Sequence, residues 1–528
     1  MKKNNLSKKI NWIDITWVIL LVGVCMAMLF LNRTLPFFPS DEGDNFLGGK
    51  MVANGLDVYK EFTSQHMPVM YYLCAIFYLL GAGTVIQFRL FFYAFLCVIW
   101  GAMYFRYKEK FGRITMTLYP LLYVCVMRTT DFGYCVLSEQ LWAQGMVILL
   151  LEYLIYTKEK KVSLSAASWI SFSILISFGT AFMAAASIGV IFLGVVYSEI
   201  LIQKKAKNGI GKGITQIWMR NRMLILIILI PFLLLISWYL ISGNLYNAYY
   251  GSFVVNREFY PKYLTNIQST FGTLIQCFER LKIWIWYTEQ TETYFQIMAL
   301  GVFLLSLIWK RQYSISIVVF FFVAFCEIRG IDHYHALQFH AVIMLMVAIL
   351  IGEWIQKFFK PKLEHLSKKE QIVYKCAAIV AMAVMFFPLY RSYYEAKDQF
   401  AIQKNESADL IPEGYQVIDE LVGENDTTYE CVLNPWYYFA TDSLPATVSA
   451  VCPWIYEAYH DKILEDLERE KPKVVTYTED FEVWGYKFGG FAADICRYFE
   501  ENYTLLDGYT QVYVRNDCYE EAKAILAE

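Results

Sequence analysis

Long apolar runs recur from Trp12 to about Tyr390 and then stop, and this recurrence constrains the fold more than any other feature. About 20 apolar residues cross a bilayer core, where each backbone polar group must find its partner within the segment, so the runs read as helices. Candidate spans are 15–31, 87–105, 114–127, 138–156, 162–178, 181–202, 223–242, 294–309, 314–327, 337–356 and 373–390. Hydrophobic residues make up 57% of the 528 and charged ones only 18%, short of the roughly one quarter usual in soluble domains. The expected fold class is an α-helical polytopic membrane protein, residues 1–390, with a small soluble α/β domain at 391–528. A net charge of -3 with no basic patch excludes a nucleic-acid partner.

Lys2, Lys3, Lys8 and Lys9 precede the first run. A cleaved signal peptide would share that basic start, but no small-residue cleavage site follows, so the run reads as a retained anchor. Met67 to Leu80 is also apolar, yet it is only about 14 residues long and is bounded by Pro68 and Gly81-Ala82-Gly83, which suits an interfacial helix. Charge parity supports that reading. Basic residues cluster at 106–110, 158–161, 204–222, 310–311 and 357–375. The positive-inside rule places all of these in the cytoplasm only if 67–80 does not cross. About 11 transmembrane helices result, with a cytoplasmic N-terminus in a cell membrane. Loop 32–86, the turn Arg128-Thr-Thr-Asp131, loop 243–293, Arg329 to Tyr334 and the tail then face outward.

In the tail, Glu430 to Leu433, Lys473 to Tyr477 and Gln511 to Val514 are strand-like, and Ile455 to Glu470 and Ile495 to Asn502 have helical periodicity. Most of the 12 cysteines lie in or near spans, where a thiol is a small apolar group. Cys431, Cys452, Cys496 and Cys518 lie in the tail without metal-type spacing, and four cysteines allow three pairings.

The chemistry concentrates in Pro36-Phe-Phe-Pro-Ser-Asp-Glu-Gly-Asp44. Asp41, Glu42 and Asp44 stand beside a membrane exit, where carboxylates are expensive to desolvate and so mark a site. A carboxylate suits a base acting on an acceptor, and a neighbouring acid raises its pKa. The same oxygens would suit a divalent cation, with Asp131 as a further ligand, or a capping cluster with Ser40 or Asp41 before Asn45 to Asn54. No other cofactor is indicated. Lys50, Lys60 and His66 offer cations for a phosphate, or simple interfacial anchoring. Arg89 heads a span, where it would otherwise snorkel. Arg128 with Asp131 is a local ion pair or a second piece of the site, and Glu139, just inside a span, demands a partner. Arg329, Asp332, His333 and His335 share a face; Arg329 and His333 suit a lipid phosphate. A metal pair at His333-x-His335 would need an extended segment. His340, inside a span, reads as a hydrogen-bonded packing residue. No Walker loop, nucleotide fingerprint or Ser nucleophile elbow occurs, which argues against nucleotide-driven chemistry.

The order of these features resembles the GT-C glycosyltransferases of the protein mannosyltransferase and aminoarabinose transferase (glycosyltransferase family 39-like) group. The likeness covers about residues 10–340 and rests on Pro39-x-Asp41-Glu42, Lys50, Gly55-x-x-x-Tyr59, the His66-x-Pro68 start of a juxtamembrane helix, Arg89 and Arg128-x-x-Asp131. The resemblance implies a polyprenyl-phosphate sugar donor, an extracytoplasmic acceptor, Asp41 as base with Glu42 beside it, Asp131 in a second loop of the site, and Arg329 and His333 at the donor phosphate. Tyr59 joins the substrate-binding set through the motif it closes. The sequence departs from the family pattern in carrying the extra acid Asp44 and in lacking a proline after His333-Tyr-His-Ala-Leu-Gln-Phe. The rival readings are a transporter or flippase of lipid-linked sugars, which would favour internal repeats, and a non-catalytic membrane subunit.

Overall fold

The computed structural model describes residues 12–33, 35, 40–130, 132–160, 162–205, 210–263, 291–326, 333–359, 413–423, 426–431, 435–447 and 452–527. The chain begins with α1 (Trp12–Phe30), α2 (Asp41–Ala53) and α3 (Val69–Leu79), followed by α4 (Val85–Phe111), α5 (Arg113–Thr129) and α6 (Ser138–Glu159). Then come α7 (Leu164–Phe178), α8 (Ala184–Lys205) and α9 (Ile210–Ile241). A π-helical stretch, Tyr250–Phe259, leads away from α9, and α10 (Thr291–Trp309), α11 (Tyr313–Cys326) and α12 (Leu337–Trp354) complete the described bundle.

Among the described residues, four helices are long and apolar enough to cross a bilayer: Trp12–Phe30, Val85–Phe111, Ala184–Leu201 and Tyr334–Lys357. Shorter apolar helices include Leu164–Phe178, Ile225–Ile241, Gln296–Trp309 and Tyr313–Cys326. The expected span 373–390 lies outside the described residues. Helix α6 is buried from Ser138 to Tyr156, so its neighbours, not its own hydropathy, shield Gln140, Gln144 and Glu152. Those polar groups tie helices together: Tyr123 donates to Gln140 Oε1 at 2.8 Å, and Trp100 and Tyr119 donate to Gln144 Oε1 at 2.8 and 2.9 Å. In hydrocarbon such bonds replace the hydrophobic effect as glue.

Helix α4 fixes a length scale. It opens on a capping box, with Thr84 accepting from the Gln87 N–H and the Gln87 side chain accepting from the Thr84 N–H. Arg89 sits one turn in, and Arg106 is 17 residues further on, about 26 Å along the axis and close to a hydrocarbon core. The far end carries the basic cluster in paired form. Arg106 bonds Glu152 at 3.0 Å, Arg113 bonds Asp14 at 3.0 Å, and Lys108 also pairs with Asp14.

Helix α3 has 11 residues, about 16 Å of axis, half of what a crossing needs. It lies instead against α2. The close approach requires Gly48 and Gly49: a Cβ on Gly48 would fall 2.3 Å from the Tyr71 ring, and one on Gly49 would fall 2.7 Å from the Cys74 backbone carbon.

Residues 413–527 carry a five-stranded sheet of order β2-β1-β3-β7-β6, built from β1 (Thr427–Glu430), β2 (Leu444–Pro445), β3 (Val474–Thr476), β6 (Tyr503–Leu505) and β7 (Val512–Arg515). Strand β1 is parallel to β2 and β3, while β7 runs antiparallel to β3 and β6. A hairpin of β4 (Glu482–Val483) and β5 (Tyr486–Lys487) stands apart. Helices α13 (Pro453–Glu470) and α14 (Ala493–Asn502) cover one face through Ile463, Leu467, Ile495 and Phe499. Helix α13 starts two residues before its periodicity predicts because Pro453 is accepted in a first helical turn.

Candidate active site

Helical geometry sorts the three acids. Asp41 and Asp44 are three residues apart on α2 and share a face, while Glu42 is turned about 100° away. Glu42 points into the bundle and is fully buried, as is Arg89. Arg89 Nε donates to Glu42 Oε1 at 2.8 Å and Nη2 donates to Oε2 at 2.6 Å. Arg89 Nη1 donates to the carbonyls of Leu35 at 2.6 Å and Arg33 at 3.1 Å, while the Val136 N–H donates to Glu42 Oε1 at 2.9 Å. This pair locks the end of α1, the start of α2 and the segment entering α6 into one unit. Asn45 reinforces it, donating to the Val136 carbonyl at 2.9 Å. The sequence reading grouped Glu42 with its neighbouring acids and Arg89 with substrate; in the fold each occupies the other.

Asp41 and Asp44 are half-buried and face the opposite way. Tyr334 donates to Asp41 Oδ2 at 2.5 Å, and Tyr71 donates to Asp44 Oδ2. The Tyr71 hydroxyl also lies 2.6 Å from Ser64 Oγ, and His66 Nδ1 is 3.5 Å from Asp44 Oδ2. Ser40 stands at the N-cap position of α2 without a side-chain hydrogen bond. The acids are therefore held by phenols and an imidazole from elsewhere in the chain, not consumed in capping. Among the described residues no three His, Cys, Asp or Glu side chains converge as a metal site, and Asp131 lies outside them.

The segment before α12 folds as a 3-10 turn, His333–Ala336, not the extended segment a His-x-His metal pair requires. It brings Tyr334 to Asp41, and it sets His335 Nδ1 3.4 Å from Oε1 of the buried Glu139, giving that carboxylate its partner. Arg329 and Asp332 lie outside the described residues, and of His333 only the backbone position is described. Arg128 Nη1 donates to Asn32 Oδ1 at 2.9 Å. His340 packs inside the bundle with Nδ1 2.7 Å from Gln296 Nε2.

Lys50 does not reach the acidic face. It is 1% exposed, and its ammonium donates to Asp442 Oδ1 at 2.8 Å and to the Ser443 carbonyl at 3.3 Å, so it fastens α2 to the tail. Tyr59 is also buried; its hydroxyl donates to the His66 carbonyl and accepts from Ser252 at 3.0 Å, and its backbone φ of +73° shapes the turn before His66. Lys60 is exposed.

Three contributors escaped the sequence reading: Tyr71, Tyr334 and Cys452. Cys452, at the N-cap position of α13, brings the tail to the acids; burial, reinforced by the charges of Asp41 and Asp44, pushes its thiol well up. Tyr71 had a signal, three residues past Pro68 on a short aromatic helix. Tyr334 had none beyond its place in a turn between two apolar runs.

The fold that carries these groups is shared with solved structures. In particular, the chain is similar to ArnT, an aminoarabinose transferase from Cupriavidus metallidurans, in the apo state, with a TM-score of 0.54 and 11% identity over 94% of this chain and 98% of that one. It is similar to ArnT bound to undecaprenyl phosphate, at 0.52 and 12% over 95% and 98%. A further likeness is to the oligosaccharyltransferase AglB from Archaeoglobus fulgidus in complex with an inhibitory peptide and a dolichol-phosphate, at 0.49 and 10% over 96% and 75%. No protein-family model matches the sequence, and no curated protein matches it.

Proposed function

We propose that this chain transfers a sugar from a polyprenyl-phosphate carrier to an acceptor outside the cytoplasm: a cell-envelope glycan, lipid or protein. The observation that carries the reading is the pair Asp41 and Asp44 on one face of α2, held open by Tyr334 and Tyr71, in a fold whose relative ArnT binds undecaprenyl phosphate. Tyr334 occupies Oδ2 of Asp41 and leaves Oδ1 for an acceptor hydroxyl. The carboxylate takes the acceptor proton as the acceptor oxygen bonds to the anomeric carbon, and the carrier phosphate leaves with the electron pair of the broken bond. One base without a nucleophile gives a single displacement with inversion. Arg329 and His333 are the proposed donor-phosphate ligands, with His66 and Lys60 on the approach and Arg128 and Asp131 on the adjoining loop. Glu42, Arg89, Lys50, Tyr59 and Glu139 contribute by holding this face in place. Asp41, Asp44 and Asp131 would be the ligands if a divalent cation takes part.

Eleven spans with the N-terminus in the cytoplasm complete the proposal. Its support is that the tail meets α2 through Lys50, on the side of Arg89, about one hydrocarbon thickness from the paired basic cluster. The test is release of carrier phosphate by purified protein from polyprenyl-phosphate sugars, wild type beside Asp41→Asn, with and without EDTA. Release by wild type alone is expected. Equal release by both proteins refutes Asp41 as base, and bound donor with no turnover in either favours a carrier. Loss with EDTA that Mg²⁺ restores would show that a cation is needed.

A further inference from the structure

The acidic face continues into an aromatic ledge built by the tail. The β4–β5 hairpin turns at Trp484-Gly485, whose φ values are +48° and +87°. A two-residue turn with both φ positive favours Asn-Gly, because a side chain with a large Cβ substituent is strained there. A tryptophan kept in that conformation at the surface points to a role beyond the turn.

Trp484 is 55% exposed. Its indole lies parallel to that of the buried Trp454, with centroids 4.6 Å apart and planes at 16°. Trp454 is wedged by the edge of Tyr260 at 5.1 Å, and its Nε1 donates to Gln65 Oε1 at 3.1 Å. Gln65 adjoins His66, which faces Asp44. Stacked indoles therefore connect the exposed Trp484 to Gln65, and the backbone carries the connection on to His66 and Asp44. Tyr486 flanks the ledge, 37% exposed and edge-on to Tyr263 at 5.2 Å. Lys487 and Asp480, 2.8 Å apart, and Glu482 supply donors and acceptors around it.

We propose that this ledge binds a pyranose ring of the acceptor, so that the acceptor carries a glycan. The inference rests on the transfer reading above and narrows its acceptor class. The C–H face of a pyranose suits a flat π-surface, and the hydroxyls around the ring edge match the charged rim. A bilayer is the poorer occupant. Residues 479–487 hold three acids and one lysine, whereas surfaces that meet anionic headgroups are basic.

The test is saturation-transfer NMR on the detergent-purified full chain with chitopentaose, mannopentaose, maltopentaose and cellopentaose. Wild type should saturate at least one sugar, Trp484→Phe should keep the signal within about twofold, and Trp484→Ala should lose about tenfold in affinity. Asp41→Asn should bind the sugar as wild type does while failing to transfer, so binding and turnover fail separately. No saturation of any sugar, or an unchanged signal in Trp484→Ala, overturns the proposal. So does quenching by brominated phosphatidylglycerol in nanodiscs that is present in wild type and absent in Trp484→Phe, because it would seat the ledge in lipid.

Discussion

Glu42 and Asp41 are adjacent carboxylates, and the structure predicts opposite consequences of losing them. Both Glu42 and Arg89 have fully buried side chains, joined by two bonds of 2.8 and 2.6 Å. Glu42→Ala leaves the Arg89 guanidinium inside the protein without its carboxylate, facing the Leu35 and Arg33 carbonyls and the Cys135 sulfur. Removing one partner of such a pair costs about 3–5 kcal/mol, because the surviving charge keeps its desolvation penalty. The orphaned Val136 N–H adds roughly 1 kcal/mol. Arg89→Met should cost a comparable amount, and Glu42→Gln/Arg89→Met should cost less than the sum of its single changes, because no uncompensated charge remains. Asp41→Asn keeps an acceptor for Tyr334 and should cost about 1 kcal/mol or less. Thermal unfolding of each variant in detergent, read beside carrier-phosphate release, separates the cases. The expectation is a large drop in Tm for Glu42→Ala and an intact fold without turnover for Asp41→Asn. A Glu42→Ala protein that melts like wild type yet does not turn over would refute the structural role and make Glu42 part of the chemistry.

Three further outcomes follow from the same geometry. Gly49→Ala should destabilise the protein by about 1–3 kcal/mol, since α3 must retreat from a Cβ 2.7 Å from its backbone, and should lower turnover by moving Tyr71 off Asp44; a variant with wild-type Tm would contradict the close contact. Burial raises the Glu430 carboxyl from 4.5 to about 8, so its stabilising effect is complete below pH 4.5 and lost as pH rises through about 8, at up to about 1.4 kcal/mol per pH unit. Glu430→Gln, which mimics the protonated form, should match wild type in Tm near pH 5 and exceed it increasingly toward pH 8.5; a gap independent of pH would refute this. Lys50→Met should detach the tail from α2, raising protease sensitivity between bundle and tail, while donor binding persists; a loss of donor affinity alone would return Lys50 to the phosphate.

The sequence by itself determined what one-dimensional periodicity and length can encode. Apolar runs mark the helices of the bundle, and the run of about 14 residues from Met67 to Leu80 is too short to cross a bilayer. Asp41 and Asp44 must share a face of any helix that holds both, and the strand-like runs 473–477 and 511–514 lie within a residue of β3 and β7, whereas 430–433 meets β1 only at Glu430. Tertiary structure alone decided which face of α2 looks inward, and so which carboxylate was spent on Arg89, 47 residues away. The same applies to Lys50, whose partner Asp442 is 392 residues distant, and to Tyr334, which reaches Asp41 across 293. The reason is physical: a lysine, a glutamate or a tyrosine carries the same chemistry wherever it stands, and only the packing of distant helices decides whether water, a partner or a substrate meets it.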